Sequence, residues 1–222
     1  MKTLAFDTST KFLTIALMDG ERVESEYHEE AGIRHSEILV PTVKDMLEGR
    51  NWNISDIGLI AAGLGPGSFT GLRIAVATVK ALAASNPVKI KGVSTMDAIA
   101  ENSGSGNTLV APFLDAHKGK VYSAVYKREE GGLKRITEYL LVTAGELLSS
   151  LEEKVFFFGD AVGKFKDELD KCGNAEYSAD ADWYPRAGVI GRLALERIKE
   201  GEDSPEDIDP LYLHSKECNI IK

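Results

Sequence analysis

The chain has 222 residues, of which 43% are hydrophobic and 27% are charged, and its formal net charge at pH 7 is −9. This composition indicates a globular protein that can bury a core in one large domain or two small ones. The acidic balance argues against a self-sufficient nucleic-acid binder, and no apolar run approaches the roughly 18 residues of a membrane span.

The first half of the chain is predicted to contain three strands, a helix, a fourth strand and a second helix. Apolar runs between turn signals such as Asp19-Gly20 indicate the strands, which cover residues 2–6, 12–18, 23–30 and 57–62. Apolar residues at helical spacing indicate the helices, which cover residues 36–49 and 72–85. We expect Ser36 to be the N-cap of the first helix and Pro41 to bend its first turns. A further strand, 88–93, and a helix, 94–102, lead into the second half.

The second half repeats this order of elements after a shift of 108 residues, which aligns Asp115 with Asp7. Its predicted strands cover residues 109–114, 120–126, 133–142 and 155–158, and its predicted helices cover residues 143–153, 163–172 and 188–199. Each half therefore reads β-β-β-α-β-α. The sequence predicts an α/β fold with two lobes, 1–102 and 103–222, in which the last helix is able to pack back on the first lobe.

A glycine-rich segment, Gly63-Leu-Gly-Pro-Gly-Ser-Phe-Thr-Gly-Leu-Arg73, joins the fourth strand to the second helix. Free backbone N–H groups at a helix start attract anions, and glycines allow a close backbone approach. The spacing matches neither the Walker A loop nor the G-x-G-x-x-G fingerprint, so a tight connection that only packs the helix on the sheet is an equal alternative. The candidate ligands of an anion or nucleotide are Asp7, Thr8, Ser9, Gly65, Gly67, Ser68, Thr70, Gly71, Arg73 and Asp115.

The two predicted helices of the first half are candidates for a protein interface. Residues 72–84 are apolar nearly all round, and a helix of this kind is covered on every side. Small residues also let two helices approach closely. The candidate contacts are His35, Ser36, Ile38, Leu39, Thr42, Val43, Met46, Leu72, Ala75, Val76 and Val79. The alternative is that both helices bury these residues against their own sheet.

The doubled unit, with an aspartate after each first strand, resembles the actin, sugar kinase and Hsp70 superfamily. Several motifs are similar to those of the TsaB family, also called YeaZ, and the resemblance runs from end to end of the chain. These motifs are Phe6-Asp-Thr-Ser9, Arg34-His-Ser-Glu37, Gly65 to Arg73, Leu114-Asp115 with Val121-Tyr122, and Pro210-Leu-Tyr212. His214 departs from the arginine that relatives often carry there.

The resemblance implies a non-catalytic scaffold subunit for threonylcarbamoylation of the adenosine next to the tRNA anticodon. The implied partners are TsaD and, through it, TsaE, with tRNA reached mainly through the complex. The isolated chain would form a homodimer through the same helices. The implied chain has no cofactor of its own, although ATP or ADP could lodge in the assembled complex.

Two enzymatic alternatives remain to be weighed. A kinase or ATPase of the actin-like superfamily would use Asp7 and Asp115, although aspartates often only cap turns. A metallopeptidase would need paired histidines, but residues 93–99, where TsaD-like proteins carry His-x-x-x-His, contain none. The four histidines of the chain stand at no metal-binding spacing, so we predict no metal site.

The expected compartment is the cytoplasm. Charge interrupts residues 1–7 too early for a signal peptide. Cys172 and Cys218 lie far apart without metal-ligand spacing, and we expect both to be free thiols.

Overall fold

Two mixed β-sheets with the same strand order form the frame of the protein. The structure, a computed structural model, describes residues 1–104, 106–178 and 183–213. Unit 1 comprises residues 1–98 and 185–211, and unit 2 comprises residues 99–184 and 212–222 as far as they are described. His214 and Cys218 lie outside the described residues, and Cys172 is a free thiol.

The sheet of unit 1 has the order β3-β2-β1-β4-β5. Its strands are β1 (Lys2–Asp7), β2 (Phe12–Asp19), β3 (Arg22–Glu30), β4 (Leu59–Gly63) and β5 (Lys89–Val93). β1, β2 and β3 form antiparallel pairs, whereas β4 pairs parallel with both β1 and β5. The helices of the first half are α1 (His35–Gly49), α2 (Phe69–Ser85) and α3 (Thr95–Ala100).

Both faces of the unit 1 sheet are covered, as the side-chain alternation of β1 illustrates. Leu4 and Phe6 pack into a core with α1 and α2. Ala5 packs into a second core with the last helix, α6 (Ala187–Arg197). A Cβ at Gly191 would clash with the Met18 side chain, so the glycine lets α6 lie close to β2 without displacing that side chain. Burial on both faces explains why β4 is apolar along its whole length and why β1 is apolar from Leu4 to Phe6.

Unit 2 repeats the architecture with shorter elements. Its strands are β6 (Leu109–Asp115), β7 (Lys120–Ser123), β8 (Tyr126–Glu129), β9 (Gly132–Arg135), β10 (Leu140–Thr143), β11 (Val155–Phe158) and β12 (Ala175–Ser178), and its helices are α4 (Ala144–Ser149) and α5 (Lys166–Lys171). The sheet order β10-β7-β6-β11-β12 matches that of unit 1 strand for strand, with β8 and β9 forming an additional hairpin on β6. The predicted duplicated α/β fold is confirmed.

The domain boundary differs from the sequence prediction. Residues 185–211, which the prediction assigned to the second lobe, belong to unit 1. The reason is that α6 buries Ile190, Leu193 and Ala194 against the first sheet. The division within the chain falls at residue 98 rather than at 102.

Other predicted elements shift at their ends. Arg34, not Ser36, is the N-cap residue of α1, so the predicted cap is wrong; Ser36 lies inside the first turn. α2 begins at Phe69, three residues earlier than predicted, because the Ser68 hydroxyl accepts a hydrogen bond from Gly71 N. β12 was not predicted. Among the described residues no helix has the length and apolar character needed to cross a bilayer.

The predicted strand 120–126 is interrupted in the structure. β7 and β8 pair with β6 in one continuous register, in which Phe113 faces Ser123 and Val110 faces Tyr126. The ladder breaks between them at Pro112, which has no N–H to donate. The Ser123 hydroxyl donates to the Pro112 carbonyl oxygen at 2.8 Å instead.

Candidate functional site

The aspartate that ends β1 lies at the centre of a buried hydrogen-bond network. Asp7 has no exposed surface. Its Oδ1 accepts a hydrogen bond from Ser9 N at 2.6 Å, and its Oδ2 accepts one from Thr95 Oγ1 at 2.6 Å. Thr95 Oγ1 in turn accepts from Gly65 N at 3.0 Å. Burial raises the pKa of Asp7 above its ordinary value of 3.8, and the hydrogen bonds from Ser9 and Thr95 oppose that rise.

The glycine-rich segment packs directly on the turn that follows β1. Ser68 N donates to Ser9 O at 2.7 Å, and Thr8 Oγ1 donates to Gly71 O at 2.8 Å. A Cβ at Gly71 would clash with the Thr8 carbonyl oxygen.

Similar clashes would arise at Gly63 with the Asp7 carboxylate and at Gly67 with Ser9 O. The glycines are therefore needed for contact between two parts of the chain. This contact supports the alternative of a tight connection, because Ser68 N and Gly71 O of the segment are hydrogen-bonded to the turn after β1.

The second aspartate turn is built differently. Both carboxylate oxygens of Asp115 bind Lys164 Nζ, at 2.8 and 2.9 Å, and Oδ1 also accepts from His117 N at 2.9 Å. Asp115 N donates to Asp160 Oδ1 at 2.8 Å. Burial alone would raise the pKa of Asp115, but Lys164 and His117 outweigh it and hold the pKa below 3.8. The pKa of Asp160 is raised, first by burial and also by the nearby charge of Asp115.

The structure brings most of the predicted anion-site residues together in unit 1. Nine of the ten belong to unit 1 and Asp115 belongs to unit 2. Thr70 and Arg73 are exposed at the start of α2, where the Arg73 guanidinium stacks 3.9 Å from the centre of the Phe69 ring. Within the described part of the chain, no three His, Cys, Asp or Glu side chains converge as a metal site would require. Nucleotide binding stays a prediction.

Most of the predicted interface residues lie inside unit 1. The buried members of the set are His35, Leu39, Val43, Leu72, Ala75, Val76 and Val79. They face the sheet, and His35 Nε2 lies 3.2 Å from the Phe12 carbonyl oxygen. These seven side chains cannot present a docking surface, and this part of the prediction is corrected. Ile38, Thr42 and Met46 are half-buried, and Ser36 is exposed.

The exposed side of the same two helices carries different residues. Ile33, in the turn before α1, is 97% exposed, Val40 is 59% exposed and Phe69 is 53% exposed. We define the outer face of α2 as its exposed row Phe69, Arg73, Ala77, Ala81 and Ala84. The first four members follow at intervals of four residues, so they lie on one side of the helix. This spacing was present in the sequence, but only the position of the sheet tells which side of an almost wholly apolar helix stays exposed.

Comparison with known proteins gives the family. Residues 24–200 match the family model described as TsaD: tRNA N6-adenosine threonylcarbamoyltransferase. The tRNA threonylcarbamoyladenosine biosynthesis protein TsaB of Bacillus subtilis (strain 168) is 33% identical, covering 98% of this chain and 96% of its own. The TsaB of Escherichia coli (strain K12) is 36% identical, covering 97% of this chain and 95% of its own. The chain belongs to the TsaB family. YeaZ from Pseudomonas aeruginosa, a solved structure, is 28% identical with a TM-score of 0.81, covering 96% of this chain and 99% of that one.

Three of the motifs that identified the TsaB resemblance meet at one end of unit 1. Segment 6–9 ends β1, and segment 65–73 packs on it through Ser68 N and Ser9 O. The third, Pro210 to Tyr212, reaches the same place, because Leu211 N donates to Leu64 O at 2.7 Å. These three motifs therefore lie together at the turn from which α2 starts.

Proposed function

We propose that this chain is a non-catalytic subunit that binds TsaD, and TsaE through TsaD, for threonylcarbamoylation of the adenosine next to the tRNA anticodon. This work would take place in the cytoplasm. The observation that carries the proposal is the outer face of α2, which exposes an aromatic ring and a row of alanines on a helix whose other side is already buried. Small side chains allow a second helix to approach closely.

The partner follows from the fold. A TsaD-like protein shares its architecture with this chain, because the family model for TsaD matches residues 24–200. Such a partner has helices equivalent to α1 and α2, and two helix pairs can pack as a four-helix bundle. The same geometry supports a homodimer of the isolated chain. A standard interface of about 1,600 Å² would suffice for either assembly.

We assign catalysis of the threonylcarbamoyl transfer to TsaD rather than to this chain. The Asp7 carboxylate and the Thr8 hydroxyl are used in hydrogen bonds within unit 1. Asp115 is held by Lys164. The net charge of −9 makes this chain a poor binder of RNA by itself, so tRNA is reached mainly through the complex. We place no cofactor on this chain, and ATP or ADP belongs to the assembled complex.

The test is reconstitution with TsaD and TsaE, measured as modified tRNA per hour and as co-elution with TsaD. Ala77→Glu places a charge in the centre of the outer face of α2. We expect it to abolish co-elution and modification, because burying an unpaired charge costs several kcal/mol. Ser149→Glu, which adds the same charge to an exposed position of α4, should retain both.

Two results would contradict the proposal. One is a folded Ala77→Glu variant that binds TsaD as tightly as the wild type. The other is turnover of a nucleotide by the purified chain that disappears in Asp7→Asn or Asp115→Asn, which would favour the kinase or ATPase alternative.

A further inference from the structure

We infer that Asp7 and Thr95 are positioning residues that hold the glycine-rich segment 64–71 in the shape that presents the outer face of α2 to a protein partner. The inference concerns a buried carboxylate to which we assign no chemical role. The identity of the partner rests on the proposed function. The claim that Asp7 and Thr95 hold segment 64–71 concerns unit 1 alone.

The first step is where the backbone groups of segment 64–71 find their hydrogen bonds. Gly65 N donates to Thr95 Oγ1 at 3.0 Å, and Gly65 O accepts from Thr95 N at 2.9 Å and from Ser94 Oγ at 3.2 Å. Ser68 N and Gly71 O bind the turn after β1. Gly65 also has a φ of +96°, a conformation that residues with side chains rarely adopt. Partners from elsewhere in unit 1 thus hold the segment at both ends.

The second step is that the Thr95 hydroxyl links segment 64–71 to Asp7. A backbone N–H can only donate, so Thr95 Oγ1 accepts the hydrogen bond from Gly65 N at 3.0 Å. The hydroxyl proton is then free to donate to Asp7 Oδ2 at 2.6 Å. The chain of bonds therefore runs from Gly65 N through Thr95 Oγ1 to a carboxyl group that has no exposed surface.

The third step connects the network to the docking surface. Only residues 66–68 separate Gly65 from Phe69, the first member of the outer face of α2. Farther along α2, Ala75 and Val79 are fully buried and fix the helix to the core. Loss of the Thr95 hydroxyl would therefore release Phe69 and Arg73 while the rest of the helix stays packed.

The experiment compares Thr95→Val, which removes the hydroxyl, with Thr95→Ser, which retains it. Hydrogen exchange reports on the amides of Gly65, Ser68, Gly71 and Leu72, urea titration gives the free energy of unfolding, and titration with TsaD gives the dissociation constant. For Thr95→Val we expect exchange in this segment and the dissociation constant to rise about tenfold or more, since the change leaves the buried Gly65 N without a hydrogen-bond acceptor. Amides of β1 and β4 should keep their relative protection, and Thr95→Ser should behave like the wild type.

A Thr95→Val variant with wild-type exchange in segment 64–72 would overturn the inference. So would a variant that is globally less stable but binds TsaD with wild-type affinity once folded, because that result shows a merely structural role. If Thr95→Val does not fold, Thr95→Ala, which also removes the hydroxyl that binds Gly65 N and Asp7, is judged by the same two measurements. A wild-type chain that binds no TsaD would overturn the proposed function and the identity of the partner in this inference. The hydrogen-exchange data would still decide whether Thr95 holds segment 64–71.

Discussion

Asp7 and Asp115 end equivalent strands but are held in opposite ways. Asp7 is buried and hydrogen-bonded to neutral groups, and its burial raises its pKa. Asp115 keeps 21% of its side chain exposed and is neutralised by Lys164. One carboxylate organises the segment that leads into α2, whereas the other is tied to a neighbouring surface lysine. The duplicated fold thus provides two equivalent turns with two different electrostatic environments.

Lys164→Met is predicted to lower the free energy of unfolding at pH 7 by about 1 kcal/mol or less, since Lys164 is 44% exposed and solvent screens the pair. Because the folded-state pKa of Asp115 lies below 3.8, its stabilisation is present above pH 3.8 and is lost as the pH falls through the folded-state pKa. Urea unfolding should therefore show a difference at pH 7 that disappears in strong acid. Lys166→Met, at another exposed lysine, is the control. A difference independent of pH would show that the ion pair contributes nothing.

The sequence identified these turns better than it identified their partners. The aspartates could be found because each follows an apolar strand at the same place in the repeat. Thr95 and Lys164 could not, because they are 88 and 49 residues away from the carboxylates they bind. Local patterns carry no information about which distant side chain the fold brings to a strand end.

At the scale of elements, the helices of unit 1 show where apolar patterning stops being informative. α2 is apolar on nearly every side, so its sequence could not separate the buried Ala75 and Val79 from the exposed Ala77 and Ala81. The strands were predicted more closely, because turn residues mark their ends. There are three exceptions: β12 was not predicted, the predicted strand 133–142 is divided into β9 and β10, and the predicted strand 120–126 is divided into β7 and β8. The break between β7 and β8 depends on a proline in the neighbouring strand β6.

The acidic segment 199–211 is an element that composition alone does not reveal. Asp203 N donates to Ile90 O at 3.0 Å, and Asp203 Oδ2 accepts from Gly92 N at 2.8 Å, so the segment covers the outer edge of β5. Lys91 Nζ lies 2.8 Å from Asp203 Oδ1. Ile208 is buried in the core beneath α2. Covering an edge strand in this way protects it from pairing with other chains.

Ile208→Ala is predicted to destabilise unit 1 by about 2–5 kcal/mol, the usual cost of truncating a buried isoleucine. Urea unfolding measures this cost. Hydrogen exchange at Gly92 N should also become faster, because the segment that accepts its hydrogen bond loses its apolar anchor. Ile136→Ala, at an isoleucine that is 50% exposed, is the matched control and should change little. Equal effects of the two substitutions would mean that segment 199–211 adds no stability.

At the scale of the whole molecule, the two halves share a strand order but differ in the elements that pack on their sheets. Unit 1 receives α6 and segment 199–211 from the end of the chain. The 108-residue repeat made the duplication predictable from sequence. The sequence analysis allowed α6 to pack back on the first lobe, as it does. It could not show which side chains would meet there, such as Met18 beside Gly191.

The last prediction concerns competition between the two proposed assemblies. If the homodimer and the TsaD complex both use the outer face of α2, no species should contain two copies of this chain and one TsaD. Light scattering during titration with TsaD should show the homodimer replaced by a one-to-one complex. The apparent affinity for TsaD should fall as the concentration of this chain rises, because the homodimer competes for the same surface.

Phe69→Ala should weaken both assemblies in parallel, because an exposed aromatic ring at a helical docking face is the type of residue that contributes most to binding. We expect each dissociation constant to rise about tenfold or more, which corresponds to a loss of at least about 1.4 kcal/mol. Ile136→Ala removes a similarly exposed apolar side chain from unit 2 and should leave both constants unchanged. A stable complex of two copies with one TsaD, or a Phe69→Ala variant that weakens only one assembly, would require separate surfaces and would end the shared-face proposal.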